Sequence, residues 1–280
     1  EEGDEQARFE DDTDSFMLRR REFCFPGIPP IVLRQEFVSV DGTGGAVWRS
    51  SIQFATFVCG EEGKRCLPLA GRSVLEVSSG LGLGAIAAWH LGASPVVATD
   101  VDEENGPMAL LSYNAVANCS RRLASVKNHG TSAGGERDGE ESCLPLTDIE
   151  VDKADGRDTS WAKGDMKQPL HVRALRWGSS SQLADAMTTF EGFGPDVVLA
   201  CDVIFDESLL PDLSDTLAGA CVLKTREGKR PTLCMSHQRR NRGREGPFFA
   251  NLSTRLGGGA WEEVHREDDL SVFIFRGAVA

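Results

Sequence analysis

The sequence lacks the features that mark membrane, secreted and aromatic-rich β proteins. No apolar run approaches the roughly 18 residues of a membrane span, so no membrane partner is expected. The first residues are rich in acidic side chains, whereas a signal peptide has a basic segment followed by an apolar one, so no signal peptide is expected. Aromatic residues make up only 7% of the chain while glycine occurs 30 times, which favours an α/β fold over a β sandwich.

An excess of positive charge is also missing, since the formal net charge is -13. A protein that holds nucleic acid by broad phosphate neutralisation needs a basic face, so nucleic acid is not expected as a partner. An acidic surface attracts basic protein substrates, although solubility alone is an equally simple reason for the charge.

The eight cysteines form no C-x-x-C pair, and no histidine cluster completes a zinc site. No metal site is therefore expected. Several of the cysteines lie in apolar, strand-like runs, where cysteine behaves as a small hydrophobic residue. We interpret this as a protein of a reducing compartment, the cytoplasm and also the nucleus.

Apolar strand patterns alternate with helical patterns through most of the 280 residues, which predicts a mainly parallel sheet covered by helices on both faces. The last two strands, near Trp261–His265 and Ser271–Phe275, leave no room for a helix between them and must be antiparallel neighbours. A single domain over 16–280 is expected, with an N-terminal extension over about 16–45. The polar residues 1–15 and the insertion over about 127–169, rich in Gly, Ser and charge, are expected to be disordered.

A glycine loop follows the first strand of this pattern, in the sequence EVSSGLGLG over residues 76–84. Glycine lets a strand turn sharply into a helix while the backbone stays close to a ligand, and the helix start offers free N–H groups. Gly80, Gly82 and Gly84 are spaced G-x-G-x-G rather than G-x-G-x-x-G. Glu76, inside the strand, can hold a cationic ligand group or cap loop amides, but it would repel a pyrophosphate. A purely structural turn remains the alternative.

Two more acids stand at predicted strand ends. Asp100 closes the second strand about 20 residues after the loop, where a carboxylate can accept ribose hydroxyls or cap the next helix. Asp202 follows the apolar strand DVVLAC, with Phe205 three residues later, so this pair either lines a substrate entry or caps a helix over a core phenylalanine.

The ordered set of segments resembles the seven-strand protein-lysine methyltransferases of the family 16 methyltransferase-like group. The matching segments span about 44–276 without the insertion. They are GGAVWRSSIQFATFV, VLEVSSGLGLGAIAA, VVATDVDEENGPMALLSYNAVAN, RALRWG, DVVLACDVIFDESLLPDL and SHQRRNRGREGPFFANL. The resemblance implies a Rossmann-like seven-strand sheet with a C-terminal antiparallel hairpin.

The resemblance also implies S-adenosyl-L-methionine as cofactor and a set of residues that bind it. Trp48 matches a tryptophan near the methionine end, and Trp177 matches one that borders the adenine. Asp100 matches the ribose-binding acid. The remaining positions come from the family's first motif and from the small residue that precedes Asp202. They are Glu76, Ser78, Gly80 and Gly82 in the first motif, and Cys201 before Asp202.

The implied activity is N-methylation of a protein lysine, with Asp202 and Phe205 as the catalytic D-x-x-Y motif. Phe205 replaces the motif tyrosine, which keeps an aromatic face for a cation and loses a hydroxyl. Ser78 replaces the usual first glycine of the loop, which is tolerated if its φ is negative. Arg176 stands where an Asp often precedes Trp177.

Three alternatives stay open at this point. The first is a methyltransferase that acts on arginine or on a small molecule. The second is an NAD-dependent oxidoreductase, against which the G-x-G-x-G spacing counts. The third is a non-catalytic interaction protein on a methyltransferase scaffold. A basic run over 237–244 is either a solvated loop or a contact for an acidic substrate surface.

Overall fold

The computed structural model describes residues 18–36, 43–104, 106–129, 170–240 and 242–277. For 119–129 and 242–244 it describes the backbone alone. The expectation for 1–15, and that for 130–169 within the insertion, lie outside the described residues. Strands β1 (Arg20–Phe23) and β2 (Ile31–Arg34) form an antiparallel hairpin in the N-terminal extension.

A seven-stranded sheet forms the centre of the molecule. Its strands are β3 (Val74–Val77), β4 (Val96–Asp100), β5 (Leu170–Ala174), β6 (Val197–Cys201), β7 (Thr232–Gln238), β8 (Gly259–Glu267) and β9 (Leu270–Gly277). They lie in the order β5-β4-β3-β6-β7-β9-β8. Strands β3 to β7 are parallel, and β9 pairs antiparallel with both β7 and β8. The predicted sheet with its C-terminal antiparallel hairpin is confirmed.

The apolar runs become central strands because their side chains alternate between two buried layers. In β3, Val74 faces one core cluster, while Leu75 and Val77 face the other. In β6, Leu199 and Val198 divide in the same way. A continuous apolar strand is stable only with both faces covered, and so helices pack on each side of the sheet.

Seven α-helices lie in the described residues. They are α1 (Arg49–Cys59), α2 (Glu61–Cys66), α3 (Leu83–His90), α4 (Met108–His129), α5 (Ser180–Met187), α6 (Leu210–Ala220) and α7 (Arg242–Arg255). Helices α1, α3 and α4 contribute to one core cluster, and α5, α6 and α7 to the other. No helix in these described ranges is long and apolar enough to cross a membrane.

Helix α4 differs from the sequence pattern, which predicts a helix from Asp102 to Asn118. It begins at Met108, directly after Pro107, and continues to His129. Proline lacks the N–H of an interior helix position but fits before the first turn, which places the start after Pro107. The helix therefore includes the first three residues of the segment expected to be disordered.

Helix α4 also anchors the N-terminal hairpin. The Asn118 side chain bonds both backbone groups of Val32, and the Asn114 side chain bonds both backbone groups of Arg34. Gln35 then accepts a hydrogen bond from the backbone N–H of Val47, at 2.9 Å. This chain of polar contacts fixes the segment that enters α1.

Candidate active site

A cavity of about 580 Å³ opens at the carboxyl edge of the parallel strands. It lies where the strand order reverses, since β3 leads to β4 and β5 on one side and its other neighbour, β6, leads to β7. Such a reversal is the usual ligand position in open α/β sheets. Eight of the ten predicted site residues line this cavity: Trp48, Ser78, Gly80, Asp100, Trp177, Cys201, Asp202 and Phe205.

The other two, Glu76 and Gly82, lie behind the cavity wall. Glu76 Oε2 accepts a hydrogen bond of 2.8 Å from the N–H of Ala85, in the first turn of α3. The amide that this acid caps thus belongs to the first turn of α3, next to the loop. Burial raises the pKa of Glu76 to about 7. A Cβ on Gly84 would lie 2.2 Å from Glu76 Oε1, which explains the third glycine of the loop.

The loop turns through a left-handed backbone, with φ of 57° at Ser78, 54° at Gly80 and 89° at Gly82. A negative φ at Ser78, the condition under which the sequence analysis has serine tolerated there, is therefore not met. The Ser78 hydroxyl accepts a hydrogen bond of 2.8 Å from the indole N–H of Trp177, so the replacement of glycine supplies a polar contact across the cavity wall. The Trp177 ring in turn lies 5.7 Å from the ring of Phe205, measured between centroids.

Asp100 presents its carboxylate at the end of β4. Its Oδ2 accepts a hydrogen bond of 2.7 Å from Gly80 N–H, and its Oδ1 accepts one of 2.8 Å from Val101 N–H. Burial raises its pKa to about 6, against the opposing effect of these two bonds. Each carboxylate oxygen can accept a further bond, so Asp100 can hold two ligand hydroxyls from the cavity wall.

Arg176, which precedes Trp177, forms an ion pair across the cavity with Glu103, at 2.5 Å from Nη2 to Oε1. Both side chains are well exposed, so the pair contributes little to stability. Because both residues line the cavity, the pair borders the space that a ligand would occupy.

Asp202 lies directly after β6 with φ of 57°, and its side chain is only 4% exposed. Both its oxygens accept hydrogen bonds from Arg240, at 2.6 Å from Nη1 to Oδ1 and 2.7 Å from Nη2 to Oδ2. Asp202 raises the pKa of the Arg240 guanidinium above its ordinary value. A bidentate pair of this kind is both strong and directional.

Buried polar groups continue behind this pair. His237 Nδ1 lies 3.7 Å from Asp202 Oδ1, and its Nε2 lies 3.1 Å from Glu245 Oε1. Glu245 also accepts a hydrogen bond from the backbone N–H of Arg240, at 2.9 Å. The end of β7 and the first turn of α7 thus meet at Asp202.

Sequence reasoning missed this use of the basic run over 237–244. The run was interpreted as a solvated loop or as a contact for an acidic substrate surface. Neither interpretation places an arginine in the cavity, yet Arg240 lines it. Arg239 instead points to Glu263, 2.9 Å away, and the side chains of Arg242 and Arg244 lie outside the described residues. Only the matching tail segment SHQRRNRGREGPFFANL signalled that the run belongs to the site.

Residues 140–255 match the family model described as lysine methyltransferase. The matched segment contains Trp177, Asp202, Phe205 and Arg240, but neither the glycine loop nor Asp100. A search of curated proteins finds no match.

Solved structures share the fold at low sequence identity. One is described as a candidate SAM-dependent methyltransferase from Streptococcus mutans, with a TM-score of 0.51, 12% identity and coverage of 92% of this chain and 55% of that one. Another, SMU.776, is described as a candidate methyltransferase complexed with SAH, with a TM-score of 0.51, 12% identity and coverage of 92% and 56%. The chain thus spans little more than half the length of these two proteins.

These likenesses agree with the strand order, which places five parallel strands beside an antiparallel pair. The chain therefore has the seven-strand fold of the class I S-adenosylmethionine-dependent methyltransferases, and its residues 140–255 are similar to the lysine methyltransferase family.

Proposed function

We propose that this protein is an S-adenosylmethionine-dependent methyltransferase that methylates a lysine side chain of a protein. One observation carries the proposal. A single cavity is lined both by residues suited to bind a nucleoside, Gly80 after β3 and Asp100 at the end of β4, and by Asp202 and Phe205 after β6. The match of residues 140–255 to the lysine methyltransferase family supports the choice of lysine.

The cavity wall fits S-adenosylmethionine in size and chemistry. About 580 Å³ lies within the range of small-ligand pockets. Asp100 would accept the ribose hydroxyls, and Trp177 would border the adenine. A Cβ added to Gly80 would meet only the Gly44 carbonyl oxygen, at 4.0 Å, so the loop backbone there faces open space that a ligand can fill. The binding of SAH by SMU.776, which shares the fold, is consistent with this cofactor.

The cofactor would supply a methyl group on a cationic sulfur: the lysine nitrogen would bond to the methyl carbon while sulfur kept the electron pair of the broken C–S bond. The lysine would arrive as an ammonium, since its pKa is ordinarily near 10.4, and would lose one proton to solvent water before its nitrogen attacks. The protein must align that nitrogen with the methyl group. The buried Asp202 carboxylate would orient the amine, and Phe205 would form an aromatic wall at the cavity mouth. Trp48, Ser78 and Cys201 would border the cofactor, with Glu76 and Gly82 shaping the loop.

The net charge supports the choice of a protein substrate, and the cysteine usage supports the choice of compartment. A chain with a net charge of -13 favours encounter with basic protein segments. Six cysteines in the described residues are free, and a reducing compartment, cytoplasmic and also nuclear, remains our proposal from the sequence.

Two measurements test the proposal. Calorimetry should show binding of S-adenosylhomocysteine, and incubation of cell lysate with labelled S-adenosylmethionine should label a protein on lysine. Asp202→Asn should lower the transfer at least about 100-fold, as expected for a group that orients the reacting atom, with cofactor affinity within about threefold. Asp185→Asn, an exposed acid paired with Arg173, is the matched control.

Each alternative has its own outcome in these experiments. Label on arginine or on a small molecule would overturn lysine as the target. Tight binding of NADH without S-adenosylhomocysteine would indicate an oxidoreductase. Failure to bind either ligand would indicate an interaction protein, and wild-type turnover by Asp202→Asn would remove Asp202 from the catalytic group.

A further inference from the structure

The carboxylate of Asp202 already has a cationic partner. Arg240 bonds both of its oxygens, and its Nη2 also donates to Gln238 Oε1 at 2.8 Å. The guanidinium carbon lies 5.8 Å from the centre of the Trp48 ring. Asp202, Gln238 and Trp48 thus form a cation cage, the name used below for these three residues, and Arg240 occupies it.

The walls of the cation cage are held in place by their own contacts. The Asp202 side chain is 4% exposed at the end of a central strand. Gln238 is oriented by Asp269, whose Oδ2 accepts a 2.7 Å hydrogen bond from its amide. Trp48 immediately precedes α1, and its indole N–H donates to the Thr43 carbonyl at 2.7 Å. These groups remain oriented toward a cation if Arg240 leaves.

Arg240 itself is much less confined than its partner. Its side chain is 39% exposed, and it lies between the end of β7 and the start of α7. Glu245 fixes its backbone through the N–H and leaves the side-chain torsions free. An arginine in this position can rotate out of the cavity, whereas the Asp202 carboxylate cannot follow it.

We propose that the cation cage is the acceptor subsite and that the substrate lysine enters it as an ammonium by displacing Arg240. This rests on the proposed function and adds a specificity-determining residue to it. A neutral acceptor gains nothing that offsets the lost ion pair, so Arg240 makes the site selective for cationic acceptors. It also assigns the cation–π contact to Trp48, since Phe205 packs against Trp177.

The test uses n-butylammonium as a lysine side-chain probe on the full chain saturated with S-adenosylhomocysteine. Tryptophan labelled with ¹⁵N allows the indole N–H signal of Trp48 to report binding. Arg240→Ala should bind the probe about tenfold more tightly than wild type, because charged hydrogen bonds no longer compete for Asp202. Arg240→Lys, which keeps the charge but not the bidentate geometry, should fall between them.

Three controls make the outcome decisive. Arg239→Ala removes a neighbouring arginine that pairs with Glu263, and should match wild type. Adding Asp202→Asn to Arg240→Ala should abolish probe binding. The neutral probe 1-pentanol should bind no better to Arg240→Ala than to wild type.

Equal n-butylammonium affinity in wild type, Arg240→Ala and Arg240→Lys would overturn the proposal. A gain for 1-pentanol as large as that for n-butylammonium would also overturn it, since the cage would then act only as a void. Tighter binding of n-propylguanidinium than of n-butylammonium to the emptied cage would overturn lysine as its occupant. Absence of S-adenosylhomocysteine binding is a separate result that contradicts the cofactor assignment alone. If Arg240→Ala does not fold, the comparison of Arg240→Lys with wild type decides.

Discussion

The hydrogen bond from Trp177 to Ser78 can be measured by a double-mutant cycle. Ser78→Ala keeps the left-handed backbone and loses the acceptor, while Trp177→Phe keeps an aromatic ring and loses the donor. Each change should remove about 1 kcal/mol of stability through this bond. Because one bond is shared, the double variant should lose it only once, which gives a coupling energy of about 1 kcal/mol.

Ser78→Gly separates the backbone cost from the side-chain contact. A residue with a Cβ at φ of 57° carries about 1 kcal/mol of strain that glycine does not. Ser78→Gly should therefore be about 1 kcal/mol more stable than Ser78→Ala. It should lie near wild type, because the relief of strain and the loss of the hydrogen bond nearly cancel.

Urea unfolding followed by circular dichroism gives these stabilities, and calorimetry with S-adenosylhomocysteine gives the functional effect. Both Ser78 variants should weaken cofactor binding by a few fold, because Trp177 loses the contact that orients its ring. A coupling energy below about 0.3 kcal/mol, the usual error of additivity, would refute the hydrogen-bond argument. A Ser78→Gly variant no more stable than Ser78→Ala would refute the strain argument.

Two further changes test the acids behind the cofactor. Asp100→Asn should lower S-adenosylhomocysteine affinity about tenfold, since an amide cannot accept bonds on both atoms; calorimetry measures this, and an unchanged affinity would contradict the ribose assignment. Burial raises the pKa of Glu76 from 4.5 to about 7. The protonated carboxyl group therefore contributes its full stability below pH 4.5, and this contribution, about 3 kcal/mol in total, is lost as the pH rises through 7. Glu76→Gln should flatten that decline in urea melts between pH 4.5 and 8, and an unchanged slope would show that Glu76 is ionised throughout.

The fold was largely predictable because its signals are local and repeated. Apolar runs such as 197–201 and 74–77 alternate with helical patterns, and the short interval between the last two strands requires a hairpin. Asp100 and Asp202 stand at predicted strand ends, and the carboxyl ends of parallel strands meet at one edge of a sheet, so the edge that holds the site could be predicted.

What the sequence could not provide were backbone torsions and long-range pairing. The φ of Ser78 depends on how the loop meets α3 and on a hydrogen bond to a residue 99 positions away. The pairing of Asp202 with Arg240 spans 38 positions, and any arginine of the basic run satisfied the same local pattern. The length of α4 was missed because polar residues near its end resemble the insertion that follows.

Three carboxyl groups at or near the ends of neighbouring strands differ in how their charge is balanced in the free protein. Glu76 and Asp100 have raised pKa values, about 7 and about 6, so partial protonation relieves their charge. Asp202 is neutralised by Arg240 instead. A ligand that bonds to Asp100 displaces no cation of the protein, whereas a cationic acceptor at Asp202 must displace an arginine. The two ligands of the proposed reaction are thus selected by different means at one edge of the sheet, and the acceptor meets the more demanding of the two.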